Sequence, residues 1–168
     1  MKVIKLFSVS IFVMCFISCF NAGDYYEELS GEYFFRHEGE NIKEILSHLP
    51  NELSVKPKVL KYSFDKNFIV AIQNPSLKEH INSIAFEIRN INSAYSKNTI
   101  RDIQKSKSIA DSLIRHNLYY QRIFSRNLNY WIISHKDDSL FGPYSKEEYL
   151  IKRKELDVPN TLKLDFEE

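Results

Sequence analysis

The sequence predicts a single α+β domain in which a small antiparallel sheet packs with helices. The chain has 168 residues, a length that suits one domain with one core. Hydrophobic residues make up 43% of it and charged residues 27%, which are ordinary values for a globular protein. Runs rich in aromatic and β-branched residues lie on both sides of a stretch with helical periodicity at about 77–126.

Residues 1–18 are predicted to be a signal peptide. Lys2 and Lys5 precede an uncharged run of fifteen residues, 6–20. A helix of that length is shorter than a bilayer core of roughly 30 Å, which favours an export signal over a spanning helix. Neither 16–18 nor 20–22 has the two small residues that an ordinary signal-peptidase site requires.

The sequence Phe16-Ile17-Ser18-Cys19 resembles the lipobox of bacterial lipoproteins, although Phe16 stands where leucine is usual. The resemblance implies cleavage between Ser18 and Cys19, with Cys19 then carrying diacylglycerol and an acyl chain. The protein would be exported and anchored to a bacterial membrane lipid layer, inner or outer, because two chains suffice for stable anchoring. Residues 19–30 would then be the lipidated cysteine and a polar tether, and Cys15 an apolar filler of the signal.

The first half of the folded region has strand and helix patterns. The aromatic run at 32–37 predicts a strand. Apolar residues at 42, 45, 46 and 49 have helical spacing and are followed by Pro50, which predicts one or two helical turns. The runs 59–64 and 68–73 predict a hairpin whose continuously apolar second strand is central in its sheet.

The second half begins with two amphipathic helices between Leu77 and about Arg115, separated by a break at 96–98. A strand is predicted at 129–135, after which Gly142-Pro143 is expected to break the sheet. Ser145 and Glu148 form an S-x-x-E capping box, which predicts the start of a last helix.

The C-terminal part of the chain has four recognisable features: an aromatic strand at 130–133, Gly142-Pro143, an acidic-aromatic pair at 147–149 and Leu-Asp-Val-Pro at 156–159. This pattern resembles an uncharacterised family of small bacterial lipoproteins, a domain of unknown function. The segments 31–46 and 59–73 are also similar to that family. The stretch at about 77–126 lies outside the resemblance and is interpreted as a helical insertion. The resemblance implies one α+β domain at 31–168 and an envelope location, but no catalytic residue.

Charge and composition exclude several function classes. Lys and Arg number 23 against 22 Asp and Glu, so there is no basic excess for nucleic acid. The four glycines are too far apart to form a phosphate-binding loop, and no cofactor is predicted. The five histidines are scattered without the spacing of a helical zinc site, so no metal site is predicted.

Adjacent aromatic residues indicate a binding role. Neighbouring residues of a strand face opposite sides, so one member of the pair Tyr130-Trp131 could lie exposed as a binding surface, although both could equally fill the core. We therefore expect a membrane-anchored envelope lipoprotein acting as a non-enzymatic binding module. The alternative is a hydrolase, or a hydrolase inhibitor, acting on peptidoglycan or peptides, which a polar pocket holding His37 or His135 beside a carboxylate would favour.

Overall fold

Two antiparallel sheets and four helices make up the part of the chain that the structure describes. The structure is a computed structural model that describes residues 24–49, 54–96, 98–136 and 138–164. In chain order the elements are β1 (Tyr25–Glu28), β2 (Tyr33–Glu38), β3 (Ile42–Ser47), β4 (Val59–Phe64), β5 (Phe68–Gln73), α1 (Leu77–Ile91), α2 (Ile100–His116), α3 (Leu118–Phe124), β6 (Asn129–Ser134), β7 (Ser139–Tyr144) and α4 (Lys146–Glu155). The α+β prediction is confirmed, with two sheets in place of the one expected.

The central sheet has the strand order β4-β5-β6-β7. Every residue of β5 and β6 is buried, because these middle strands are covered on both faces. The predicted hairpin with its central second strand is therefore confirmed. Residues 74–128, including the three helices α1, α2 and α3, are inserted between the paired strands β5 and β6.

The N-terminal sheet has the order β1-β2-β3 and packs on one face of the central sheet. The core between them includes Phe35 and Ile45 from the first sheet and Ile69, Trp131 and Ile133 from the second. The opposite face of the central sheet carries Val70 and Ile132, which pack under α4 and the C-terminal segment. Helices α1 and α2 pack on each other through Ile84, Ala85, Ala110 and Ile114, and α3 bridges this pair to the inter-sheet core.

Two predictions for the N-terminal region are wrong. Residues 42–47 form the strand β3 where helical turns were expected over 42–49, since Ile45 is fully buried between the sheets and β3 pairs with β2 along its whole length. This burial outweighs a weak local helical pattern. Tyr25–Glu28, expected in the tether, pairs with β2 as the edge strand β1, so the ordered fold begins before residue 31.

Two further differences lie in the second half. Gly142-Pro143 does not end the sheet but lies inside β7, an edge strand that tolerates the missing N–H of proline. The helical stretch contains the third helix α3, which begins at an Asn117 cap directly after α2. The two amphipathic helices predicted between Leu77 and about Arg115 are confirmed as α1 and α2, and the predicted break falls between them.

The capping box of α4 is formed as predicted. Glu148 N donates to Ser145 Oγ at 3.2 Å, and Ser145 N donates to Glu148 Oε2 at 2.7 Å. Replacing Ser145 with alanine is expected to lower the free energy of unfolding by about 1 kcal/mol, because the cap bond is lost. Denaturant unfolding checks this against the control Ser108→Ala, an exposed mid-helix position of α2 where no loss is expected. Equal costs at the two serines would contradict the capping role.

Candidate functional site

A cavity of about 480 Å³ lies between the central sheet and two of the inserted helices. We call it the α1–α3 cavity. Its lining comes from the segment before β4, from β5 and β6, and from α1 and α3: Ser54, Lys56, Gln73, His80, Glu87, Ile91, Tyr119, Tyr120, Ile123 and Trp131. The site therefore exists only because the insertion folds back over the sheet.

The floor of the cavity is a buried hydrogen-bond network centred on Gln73, which is fully buried. Gln73 Oε1 accepts from Trp131 Nε1 at 3.0 Å and from Asn129 Nδ2 at 3.1 Å. Gln73 Nε2 donates to the Lys56 carbonyl oxygen at 2.9 Å. One side chain thus fixes the orientation of the indole and the position of the segment that carries Lys56.

His80 is the buried ionisable group of the site. It lies in the first turns of α1, after the Ser76 cap, and is 0% exposed. Its Nδ1 lies 3.0 Å from the Ser76 carbonyl oxygen, which can only accept, so Nδ1 carries the ring proton. Nε2 is then a hydrogen-bond acceptor, and it has no partner among the described residues. The ring also contacts Phe124 edge-on, with centroids 5.0 Å apart.

Burial keeps this imidazole neutral. Desolvation lowers the pKa of His80 from 6.5 to about 4, and the positive charge of Lys56 adds to this effect. At neutral pH the site therefore contains an uncharged acceptor that is buried at the cavity lining. A buried acceptor without a partner costs folding free energy, and such costs are typical of functional sites.

Two charged side chains lie at the cavity wall. Lys56 Nζ donates to Glu87 Oε1 in an ion pair whose side chains are 22% and 48% exposed. Helix α1 positions Glu87 seven residues after His80, on the same face of the helix. Burial raises the pKa of Tyr120, and the negative charge of Glu87 raises it further by a smaller amount. The cavity thus combines an ammonium group, a carboxylate, a neutral imidazole and aromatic walls.

The depressed pKa of His80 predicts an acid-sensitive fold. The unfolded chain takes up a proton at His80 below pH 6.5, whereas the folded chain resists it down to about pH 4. Stability is therefore expected to be full above pH 6.5 and to fall by about 2 kcal/mol between pH 7 and pH 5, since one pKa unit corresponds to roughly 1.4 kcal/mol. Denaturant unfolding of wild type and His80→Leu over this range measures the loss, which the variant should lack.

A matched control is His116→Leu in α2. His116 Nδ1 also contacts the carbonyl oxygen four residues earlier, Ser112, at 2.8 Å, but the residue is exposed. This variant should keep the pH dependence of wild type. A pH dependence unchanged in His80→Leu would contradict the buried neutral imidazole.

The structure separates the two residues of the predicted binding surface. Trp131 is 1% exposed and lines the α1–α3 cavity, whereas Tyr130 points to the opposite face, where its ring stacks on Tyr149 at 5.1 Å. Both are buried, so they form no shared exposed surface. The residues Ser18 and Cys19 lie outside the described part of the chain.

The histidines considered for acid-base chemistry lie elsewhere. Ser30 Oγ is 2.8 Å from His135 Nε2, and the ring of His37 contacts Tyr25. Neither histidine is among the described residues that line the cavity. Within the described ranges, no three His, Cys, Asp or Glu side chains could together hold a metal ion. No helix in the described ranges is both long and apolar enough to cross a membrane.

Sequence reasoning missed His80, Lys56 and Glu87 as site residues. One signal was present: His80 lies four residues before the buried Ile84, on the core-facing side of a helix where an apolar residue is expected. Lys56 carries no such signal, because it reaches the cavity only through the path of the chain before β4.

The comparisons with known proteins concern the C-terminal part of the chain. No curated protein and no solved structure gave a match. The segment that matches a family begins inside α2 and extends past α4, so it includes α3, β6, β7 and α4. It contains Trp131 and the α3 wall of the cavity but not Lys56, His80 or Glu87. The stretch at 103–126, interpreted from the sequence as part of an insertion outside the family, lies inside this match, so that boundary is wrong. Residues 103–167 are similar to the family described as "Protein of unknown function (DUF3997)", which confirms the C-terminal resemblance.

Proposed function

We propose that this protein is an exported lipoprotein, held on a bacterial membrane by acylated Cys19, whose domain binds a small polar ligand in the α1–α3 cavity without catalysis. The lipobox resemblance at 16–19 supports the anchor. The observation that carries the binding role is the buried imidazole of His80, which lines the cavity together with further polar and aromatic groups and whose Nε2 has no partner in the described part of the chain.

A binding module explains the site better than the hydrolase alternative. The arrangement that would favour a hydrolase requires His37 or His135 in a polar pocket beside a carboxylate, and both lie away from the cavity. The neutral His80 already uses Nδ1 on the backbone carbonyl of Ser76, the N-cap of α1. Its role is therefore to accept a hydrogen bond from a ligand.

The anchor is tested by labelling with radioactive palmitate and by membrane fractionation. Cys19→Ala should abolish the label and release the protein from membranes, because the acylated residue is lost. The matched control is Cys15→Ala, four residues earlier in the same apolar run, which should keep both. A Cys19→Ala protein that is still labelled and membrane-bound would refute the lipoprotein assignment.

The binding role is tested with the full-length protein in detergent and a panel of amino acids, dipeptides, monosaccharides and nucleosides. A compound that binds the folded state raises its thermal midpoint by mass action. At least one class should stabilise wild type and His116→Leu but not His80→Leu. The His80→Leu protein should remain folded, because the Ser76 carbonyl keeps its bond from His80 N at 2.9 Å and an unpaired buried polar atom is removed. A panel without any His80-dependent stabilisation would refute the binding role.

A further inference from the structure

The ligand class can be inferred from the charges and hydrogen-bonding groups that line the α1–α3 cavity, an inference that rests on the proposed binding role. Lys56 and Glu87 are the two charged residues among the described lining residues, and they contact each other. Both are partly exposed, so each can reach a ligand without first being uncovered. Their pairing means that any charged ligand must compete with an existing ion pair.

A ligand with a single charge fits this pair poorly. An anion that binds Lys56 would leave the Glu87 carboxylate unpaired and close to a like charge, and a cation that binds Glu87 would do the same to Lys56. A ligand with both charges can replace the pair with two charge-assisted hydrogen bonds. Opening a partly exposed ion pair costs only about 0–1 kcal/mol, so the existing pair is a small barrier to this exchange.

The inner end of the ligand is specified by His80. Its Nε2 can only accept a hydrogen bond, and it is closed to water in this structure, so the side chains that cover it must shift for a ligand to reach it. A carboxylate there would face an acceptor, and an ammonium would lose its hydration. The group at this end must therefore be a neutral donor, such as a hydroxyl or an amide N–H.

The side walls and the volume of the α1–α3 cavity restrict the remaining part of the ligand. Tyr119, Tyr120, Ile91 and Ile123 give the cavity aromatic and aliphatic sides. Its volume of about 480 Å³ is at the smaller end of the range of roughly 300–1,000 Å³ typical of ligand pockets. Such a volume suits a compact ligand.

We propose that the α1–α3 cavity binds a free amino acid or dipeptide whose side chain ends in a neutral hydrogen-bond donor. Lys56 binds the α-carboxylate, Glu87 binds the α-ammonium group, and His80 Nε2 accepts from the side chain. Each of the three residues thus binds a different group of one small zwitterion.

The experiment uses calorimetric titration of the full-length protein in detergent with L-glutamine, L-threonine and glycyl-L-glutamine. The chemical controls are N-acetyl-L-glutamine, which lacks the ammonium group, L-glutamine amide, which lacks the carboxylate, and L-norleucine, which lacks the side-chain donor. At least one free zwitterion should bind, and loss of any of these groups should weaken binding at least tenfold. This comparison needs no variant, so it remains decisive even where a substitution disturbs folding.

Variants assign the contacts. Lys56→Met should bind L-glutamine and L-glutamine amide equally, because it has lost the preference for a free carboxylate. Glu87→Gln should bind L-glutamine and N-acetyl-L-glutamine equally, because it has lost the preference for a free ammonium group. The matched control is the exposed pair of Arg122 and Glu148, 3.3 Å apart, where Arg122→Met and Glu148→Gln should leave binding unchanged.

The outcomes separate this inference from the proposed binding role. Equal binding of free and blocked glutamine would overturn the zwitterion assignment, and so would His80-dependent binding of a monosaccharide or nucleoside with no binding of amino acids. In either case the binding role stands. If none of the amino acids, dipeptides, sugars or nucleosides binds in a His80-dependent way, both proposals fail.

Discussion

Replacing Trp131 with alanine is expected to lower the free energy of unfolding by about 4 kcal/mol. Trp131 is 1% exposed and packs in the core between the two sheets, so truncation removes a large apolar surface and leaves a cavity. The substitution also removes one of the two donors to Gln73 Oε1. A loss of this size is a large fraction of the roughly 5–15 kcal/mol that stabilises a typical domain.

The matched variant is Trp131→Phe. It keeps an aromatic ring but loses Nε1, so a smaller cost of about 1–2 kcal/mol is expected from the lost hydrogen bond and the reduced volume. Denaturant unfolding of both variants separates packing from hydrogen bonding. If Trp131→Ala cost no more than Trp131→Phe, the description of the indole as a core residue would be wrong.

Gly142→Ala is expected to lower the free energy of unfolding by about 3 kcal/mol, through backbone strain and overpacking together. Gly142 has φ +135°, a conformation that residues with side chains rarely adopt. An added Cβ would lie 2.6 Å from Trp131 Cε3 and 2.9 Å from the Tyr130 carbonyl oxygen. The backbone of β7 therefore approaches β6 too closely for any side chain.

The control is Gly39→Ala, in the turn between β2 and β3. Gly39 also has a positive φ, +61°, but an added Cβ would meet nothing within 4 Å, so only about 1 kcal/mol of backbone strain is expected. Combining Gly142→Ala with Trp131→Ala should cost less than the sum of the two, because the smaller side chain removes the ring contact. Equal costs at the two glycines would show that the approach to Trp131 does not matter.

Most of the central sheet could be predicted from the sequence. The strand β5 is a continuous apolar run from Phe68 to Ile72, as a doubly covered strand requires, and β6 is rich in aromatic and β-branched residues. The capping box marks the start of α4. The strand β3 could not be predicted, because its apolar residues also fit helical spacing and only pairing with β2 decides between the two. The short helix α3 offers too few turns for a periodic signal.

The candidate site was harder to predict than the fold. Trp131 was identified as an aromatic residue of interest, but its neighbours in the cavity come from positions 54 to 131 and share no sequence pattern. Lys56, His80 and Glu87 are brought together by the return of the insertion onto the sheet. Local periodicity contains no information about such long-range contacts.

The insertion between β5 and β6 also has a consequence for the order of folding. Pairing of these strands closes a loop of residues 74–128, and the entropic cost of closure grows with loop length. Helices α1 and α2 are close in sequence and pack directly on each other, so their association shortens the segment that remains to be closed. We therefore expect the hairpin of α1 and α2 to form before β5 pairs with β6, so that the loop which this pairing must close is effectively shorter.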